Sequence, residues 1–505
     1  MTKELQEKLD FVKKTLHDVE SYSHACSVLN FDQETICPAE GMEEQGEVNA
    51  FLSNKAFELR KQHQFEEAAE YLYQHKNELA DPLDRILADD LHREYLKTKN
   101  ITPEMDHEFA LAYNRAFVNW VNAKQQSDYE LFAPSLKEVR DIELKKISLR
   151  GNRLPDAYDN LLDDYERGMT TDNLDEIFDV CKKRLVPLLK KITESKKSIR
   201  TDFMSRTVTD EQQKRMAQYL LETLGFDFRR GSFTTTEHPF TDGLGRNDVR
   251  VTTHYYPAMF SSSMFSIIHE CGHALFEMYQ PGEDWEHYIN GDKTMGMHES
   301  VSRFYENRIG RSKAFVDLIY DKTKQIFPEV MHDVSSRELY EALNVVRPSL
   351  IRTEADEFTY TLHIIIRYEL EKLIVNGNAK IEDLPGLWND TYEKYLGVRP
   401  QNDREGILQD VHWSSGFGYF STYALGNMYN AMYYETMSRD FDVSQAVLNG
   451  DFSKINGWMK DRVWKNANRE TPKEWIREIT GGDFNVEPYL DYLEKKYTAL
   501  YEIGE

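Results

Sequence analysis

Residues 261–282, SSSMFSIIHECGHALFEMYQPG, decide both the fold and the chemistry that this 505-residue chain can support. They contain His269-Glu270-Cys271-Gly272-His273, in which two histidines stand one helical turn apart on the same face. Two imidazoles at that spacing bind one metal ion, and the glutamate between them can take a proton from a metal-activated water. Serines before the apolar run and Pro281-Gly282 after it predict a helix over 264–279. The competing interpretation is a pair of core histidines with a surface glutamate.

A catalytic zinc site needs a third protein ligand and one position left open for water. The stretch HESVSRFYEN, residues 298–307, is the best source of that ligand, because the chain before it is long enough for a loop and a returning helix. Glu299, near the start of this second helix, would point at the metal. His298 and Glu306 are the alternatives that the spacing leaves open.

The charge balance excludes several classes of partner. With 62 Lys and Arg against 87 Asp and Glu, the formal net charge is -25, which argues against nucleic acid or an anionic membrane as a partner. The N-terminus is charged from the start, and no apolar run approaches the length of a membrane span. We therefore expect a soluble, cytoplasmic protein.

Cysteine usage points to a reducing compartment. The four cysteines, Cys26, Cys37, Cys181 and Cys271, show no Cys-x-x-Cys spacing, so neither a disulfide framework nor a thiolate zinc site is predicted. Cys271 lies between the two histidines and would face away from the metal, so we expect it to pack in the core.

Helical periodicity dominates the chain. Helix starts are predicted at Thr102-Pro103 and at the capping boxes Thr209-x-x-Gln212 and Ser335-x-x-Glu338, and a long helix is expected over about 349–375.

One segment has β character instead. Residues 231–256, GSFTTTEHPFTDGLGRNDVRVTTHYY, are rich in Thr, Val, Tyr and Phe and are split by Asp242-Gly243-Leu244-Gly245. This pattern predicts a β-hairpin in which 232–237 pairs with 248–254.

The expected architecture is mainly α, a large helical single unit with a deep groove. A small antiparallel sheet of three or four strands would stand beside the metal helix. Within a single domain, 1–505, residues 1–200 would form the N-terminal helical side of the groove and residues 201–505 the catalytic side with the metal site.

Five short motifs, in a fixed order, give the chain a resemblance to a known family. They read DVRVT (248–252), HECGH (269–273), HES (298–300), IRTEAD (351–356) and GILQDVHW (406–413). They resemble the motifs of the carboxypeptidase Taq family of zinc metallocarboxypeptidases, and FDQETICPAEG (31–41) resembles a further segment of that family. The resemblance covers nearly the whole chain. Two positions depart from it, since Val301 stands where the family has Gln and Phe31 where it has Trp.

The resemblance implies a site and an activity. His269, His273 and Glu299 would hold one zinc ion per chain, with cobalt as the alternative, and Glu270 would be the general base. The implied reaction is hydrolysis of the C-terminal peptide bond of peptide substrates, with broad specificity and with C-terminal proline disfavoured. A homodimer is implied as well. Val301 has no side-chain hydrogen-bonding group, so it cannot give the support that a Gln would give there.

A carboxypeptidase must hold the free carboxylate of its substrate, and the planar fork of an arginine pairs with a carboxylate through two bonds. Arg250 and Arg352 are the arginines within the motifs, with Arg352 slightly preferred. The competing interpretation of Arg352 is an i, i+4 ion pair with Asp356 on one helix. Arg250 would likewise pair with Asp248 or Glu237.

The oxyanion that develops during peptide hydrolysis needs a hydrogen-bond donor. His412 and Tyr423 resemble the His…Tyr pair of related helical zinc peptidases, so we assign Tyr423 to the oxyanion with His412 as its companion. Tyr419 is the substitute for Tyr423. His238, which follows the first predicted strand, would bind the substrate backbone, or else make only local hydrogen bonds.

Two rival functions remain open at this point. The first is a zinc oligopeptidase or dipeptidyl carboxypeptidase, whose metal helix would look the same. The second is a helical scaffold that binds no metal.

Overall fold

The helices follow one another through most of the chain. The computed structural model describes residues 1–290 and 294–504. The helices before the sheet are α1 (Lys3–Thr35), α2 (Met42–Arg60), α3 (His63–Gln74), α4 (Pro82–Thr98), α5 (Pro103–Gln126), α6 (Ala133–Leu149), α7 (Ala157–Tyr165), α8 (Thr171–Thr193) and α9 (Asp210–Leu224). The strands are β1 (Gly231–Thr235), β2 (Thr241–Gly245) and β3 (Asp248–Thr253).

Further helices follow the sheet, and the mainly α fold is confirmed. They are α10 (Phe260–Tyr279), α11 (Gly282–Glu286), α12 (Met295–Arg303), α13 (Lys313–Ile326), α14 (Pro328–Met331), α15 (Ser336–Leu343), α16 (Tyr360–Val375), α17 (Leu384–Leu396), α18 (Ser421–Asp440), α19 (Val443–Leu448), α20 (Phe452–Met459), α21 (Pro472–Thr480) and α22 (Glu487–Leu500).

Local capping sets several helix starts where the sequence predicts them. Thr102 accepts a hydrogen bond from the backbone of α5, and both predicted capping boxes form, at Thr209 before α9 and at Ser335 before α15. These caps satisfy backbone N–H groups that have no partner inside the helix.

The sheet is mixed, so the prediction of an antiparallel sheet is wrong. Its strand order is β1-β3-β2, with β1 parallel to β3 and β2 antiparallel to β3. The two predicted partners do pair, but Asp242-Gly243-Leu244-Gly245 is not the turn between them. These residues belong to the edge strand β2. The chain therefore reverses direction twice before β3, which makes β1 and β3 parallel.

The long helix expected over 349–375 begins only at Tyr360. Arg352–Glu354 form a separate 3-10 turn, and the Asp356 carboxylate accepts hydrogen bonds from the backbone N–H of Phe358 and Thr359. Asp356 thus holds the turn that leads into α16, and the i, i+4 pair with Arg352 of the competing interpretation does not form.

Glycines bring three helices of the catalytic side unusually close together. A Cβ at Gly272, on α10, would stand 2.6 Å from the Cα of Ser302 on α12. A Cβ at Gly426, on α18, would stand 2.9 Å from Cγ of Glu299. Main chain therefore lies directly against α12 on both sides, at the level of Glu299.

Buried apolar side chains form more than one cluster in the described part of the chain. A large cluster draws on residues from Ala116 to Tyr501 and includes the buried face of α10. A second cluster is built from α1, α3, α4 and Ile289, so these N-terminal helices have a core of their own. Among the described residues, every helix is too short or too polar to cross a lipid bilayer.

Candidate active site

Two neighbouring helices bring three potential metal ligands together. His269 and His273 project from α10, and Glu299 projects from α12. Nε2 of His269 lies 3.9 Å from Oε2 of Glu299, and Nε2 of His273 lies 3.8 Å from the same oxygen. One ligand atom from each residue lies within 4.8 Å of the others, the only such group of this kind found among the described residues. Tetrahedral zinc with bonds near 2.1 Å places its ligand atoms roughly 3.4 Å apart, so this donor set fits the ion after a small contraction.

A set of charged contacts holds the third ligand from behind. Arg303, one turn after Glu299 on α12, donates from Nε to Glu299 Oε1 over 2.7 Å. The same guanidinium donates from Nη1 to Oε2 of Glu306 over 3.0 Å. The sequence interpretation missed Arg303, although its i, i+4 spacing from Glu299 was a usable signal.

Glu306 lies behind His269 rather than among the ligand atoms. Its Oε2 is 2.9 Å from Nδ1 of His269, the ring nitrogen that faces away from Glu299. Burial acts to raise the pKa of Glu306, but the Arg303 charge and the His269 bond outweigh it and hold that pKa well below its usual range. An ionised carboxylate at this nitrogen fixes the tautomer of a ligand histidine and increases its basicity.

His298, the other alternative ligand, is also engaged elsewhere. Its Nε2 lies 2.9 Å from Oε1 of Glu277, and its ring stacks on His273 with centroids 4.5 Å apart. The structure therefore brings Glu299, rather than His298 or Glu306, to the two histidines. Nδ1 of His273 is buried without a hydrogen-bond partner among the described residues. Val301 is buried in the large apolar cluster, so it gives the site no polar support.

We expect Glu306→Gln to weaken metal binding by about 10- to 100-fold, because the amide keeps the shape but loses the charge that supports His269. Titration against a competing chelator measures the affinity. Glu277→Gln is the matched control, since Glu277 contacts His298 instead of a ligand, and it should bind metal like the wild type. Unchanged affinity in Glu306→Gln would contradict this role.

Glu270 lies inside the same site. The residue is buried, and its Oε2 accepts a hydrogen bond from the hydroxyl of Thr241 over 2.7 Å. Burial raises the pKa of Glu270, although His269 and the Thr241 bond oppose the shift. A raised pKa suits a group that must accept and release a proton near neutrality. Thr241 was missed because its segment was interpreted as the approach to a turn, whereas β2 aims it at α10.

The groove beside these residues has a volume of about 890 Å³. Its walls contain the ligand triad and Glu270, and their other residues include Arg303, Arg352, Tyr419 and Tyr423. Arg250 and His238 are not among the residues that line it, although both were expected to contact substrate.

Tyr423 lines the groove, and His412, which is not among the lining residues, lies behind it. The Tyr423 hydroxyl lies 3.5 Å from Nε2 of His412, and Tyr419 packs edge-on against Tyr423 with ring centroids 5.2 Å apart. Burial lowers the pKa of His412 to about 4 and raises the pKa of Tyr423 well above its usual range. At neutral pH the imidazole is therefore uncharged, and the phenol keeps its proton as a donor.

The two motif arginines have different surroundings. Arg352 is 6% exposed and donates from Nε and Nη2 to Asp410 over 3.1 and 2.9 Å, while Nη1 donates to the Tyr360 hydroxyl over 3.2 Å. Arg250 pairs with Asp248 over 2.9 Å, and the ring of Phe31 lies 5.0 Å from its guanidinium. Arg250 thus has one of the partners expected for it, whereas Arg352 pairs with a residue far away in the sequence. His238 is exposed on the connection between β1 and β2.

Comparison with known proteins identifies the family. The model of the carboxypeptidase Taq (M32) metallopeptidases matches residues 11–497 of the chain. The chain belongs to this family. A metallocarboxypeptidase of this family is a hydrolase that acts on peptide bonds, and the predicted family membership and enzyme class are confirmed.

Similar M32 proteins cover the chain almost completely. Carboxypeptidase 1 of Bacillus subtilis (strain 168) is 38% identical over 499 residues, which is 98% of each chain. Thermostable carboxypeptidase 1 of Pyrococcus furiosus is 35% identical over 480 residues, 94% of this chain and 95% of the relative. The crystal structure of the M32 carboxypeptidase from Deinococcus radiodurans R1 superimposes with a TM-score of 0.94 at 30% identity, covering 98% of this chain and 100% of that one.

Proposed function

We propose that the protein is a zinc-dependent carboxypeptidase that removes single residues from the free C-terminus of peptides. Its specificity would be broad, with C-terminal proline disfavoured. The observation that carries this proposal is the His269–His273–Glu299 triad with Glu270 beside it, in a groove whose wall also holds a buried arginine. The donor set of two imidazoles and one carboxylate supports zinc over Mg²⁺ or Ca²⁺, which prefer all-oxygen sites, and cobalt is the alternative.

When bound, zinc would lower the pKa of water and polarise the scissile carbonyl. Glu270 would take the proton of the attacking water and pass it to the leaving amine. Tyr423, with His412 beside it, would donate a hydrogen bond to the carbonyl oxygen as that oxygen gains charge. The uncharged state of both side chains at neutral pH supports these roles.

Arg352 is our choice for binding the terminal carboxylate of the substrate. It lies in the groove wall, and its Nη1 donates a hydrogen bond to the uncharged Tyr360 hydroxyl. A substrate carboxylate could replace this hydroxyl as the acceptor. Tyr419 would contact the substrate from the same wall. Substrate contact by Arg250 and His238 remains a prediction. Since neither residue lines the groove, each would have to contact a part of the substrate that extends beyond it.

A mass-spectrometric ladder tests the activity. Metal-loaded protein incubated with a mixed peptide pool should produce successive losses of one residue from each C-terminus. The same peptides with amidated C-termini are the matched control and should remain intact, because an amide cannot pair with a carboxylate-binding arginine. Internal cleavage, or equal turnover of amidated peptides, would favour an oligopeptidase instead. Loss of two residues at a time would favour a dipeptidyl carboxypeptidase.

We further propose that the enzyme is cytoplasmic and acts as a homodimer. All four cysteines are free, which supports a reducing compartment. The dimer rests on the family resemblance alone. Sedimentation at several protein concentrations measures the oligomeric state, and a monomer throughout would refute the dimer.

A further inference from the structure

A buried carboxylate that takes no part in the proposed mechanism lies at the centre of α16. Glu371 is 1% exposed. Its Oε1 accepts a hydrogen bond from the indole Nε1 of Trp413 over 2.7 Å. Its Oε2 accepts one from the hydroxyl of Tyr158 over 2.7 Å and another from the backbone N–H of Gly418 over 2.8 Å. An ionised carboxylate offers about four acceptor sites and no donor, so this form matches three converging donors, whereas the protonated form adds a donor of its own.

Two of the three donors, Trp413 and Gly418, lie at the two ends of one turn. Trp413 directly follows His412, and Gly418 stands just before Tyr419 and the start of α18, which carries Tyr423. One carboxylate thus fixes the two points between which the chain passes from the proposed histidine to the proposed tyrosines.

Further contacts hold the chain just before this turn and at its C-terminal end. Before His412, Asp410 pairs with Arg352 over 2.9 Å and with Arg367 over 2.5 Å. At its far end Gly418 has φ +98, and a Cβ there would stand 2.7 Å from the backbone oxygen of Leu161 on α7. His412 is therefore placed between the carboxylates of Asp410 and Glu371, on a turn that lies directly against α7.

We propose that Glu371 is a positioning residue, which sets the distance between His412 and Tyr423 by holding both ends of the 413–418 turn. This positioning role depends on the catalytic roles proposed for His412 and Tyr423. Glu371 does not line the groove, so it acts through these two residues and not on the substrate. A displacement of about 1 Å in a catalytic group is enough to lower the rate roughly 100-fold. The hydrogen bonds of Glu371 can therefore affect the rate, although this residue does not contact the substrate.

The test compares two glutamates on the same helix. Glu371→Gln keeps the shape of the side chain but turns one acceptor into a donor that faces other donors. Glu369→Gln is the matched control, because Glu369 bonds to Tyr395 and Lys182 and does not touch the turn. In the Glu371 variant we expect kcat to fall by about 10- to 100-fold, with KM and metal content unchanged. The Glu369 variant should keep the wild-type kcat. An unchanged kcat in Glu371→Gln would overturn the proposal, and so would an equal loss in the control.

A pH profile separates positioning from a general loss of structure. Burial raises the pKa of Glu371 to about 7, against the effect of its three donors and of Arg367 on the same helix. Tyr158, Tyr165 and Arg367 are the titratable or charged groups that face it, and burial raises the pKa of both tyrosines, so they keep their protons at neutral pH. Protonation of Glu371 puts a donor on one of its oxygens, which weakens its hydrogen bonds to the three donors. The ratio of wild-type to Glu371→Gln kcat should therefore be largest above pH 7 and fall towards one below it. A ratio that does not change with pH would contradict the mechanism.

Two further measurements keep the proposal testable in every case. If Glu371→Gln does not fold, Tyr158→Phe removes one donor and leaves the carboxylate, and it should lower kcat by a smaller factor of about 3 to 10.

If the wild type cleaves no peptide, the proposed function fails, but the indole N–H resonance of Trp413, assigned with Trp413→Phe, still reports on the hydrogen bond to Glu371. That resonance should shift strongly in Glu371→Gln and stay in place in Glu369→Gln. No shift would overturn the anchoring itself.

Discussion

Glu270→Gln should retain its metal and lose turnover by about 10²- to 10⁴-fold. The amide has nearly the same shape as the carboxylate, so the ligands on either side of it in the helix are not disturbed. It cannot accept the proton of the attacking water or deliver it to the leaving amine. The measurements are kcat on a peptide with a free C-terminus and the metal content of the same sample.

A side chain one contact away provides the control for this variant. Thr241→Val removes the hydroxyl that bonds Glu270 but leaves the carboxylate, so its activity should stay far above that of Glu270→Gln. Because burial raises the pKa of Glu270, the activity of the wild type should fall as the pH drops through a value above the ordinary range of glutamate. Substantial turnover by Glu270→Gln would refute the assignment of the base.

Glu299→Ala should lose both the metal and the activity. Two histidines on one helix remain, but without the carboxylate the ion loses a charged ligand, and Arg303 loses one of the two carboxylates that balance its charge beside the site. The loss of affinity should exceed the roughly 10- to 100-fold expected for a supporting residue such as Glu306. Metal content after dialysis, together with kcat, measures the effect.

His298→Ala distinguishes the ligand assignment from its alternative. His298 neighbours Glu299 in the sequence and stacks on His273, yet its Nε2 is turned towards Glu277. This variant should keep most of its metal. Retained metal in Glu299→Ala together with loss in His298→Ala would reverse the assignment.

Features set by neighbouring residues were predictable from the sequence. The capping boxes at Thr209 and Ser335 form because each cap and its partner are three residues apart. The spacing of His269 and His273 placed the metal helix, which begins at Phe260, before the expected residue 264. The spacing of Glu306, about two helical turns after Glu299, made it an alternative ligand. The same spacing places it behind His269, where it supports the ligand instead.

Features set by distant partners were not predictable. Gly243 and Gly245 are typical turn residues, but pairing with β3 makes their segment an edge strand and reverses the polarity of β1. The competing interpretation of Arg352 paired it with Asp356, four residues onward, yet Asp410 is its partner. In each case a contact made only in the folded chain outweighs a local preference.

The close approach at Gly272 and Gly426 has a consequence for how such a site can change. Because Gly272 lies against the backbone of Ser302 and Gly426 lies against Glu299, the spacing of the helix backbones limits the separation between the histidines and Glu299, and the contacts of Arg303 and Glu306 act within that limit. To make the protein select an ion of different radius, a designer must change the distances between α10, α12 and α18. Exchanging the ligand residues alone leaves these distances unchanged.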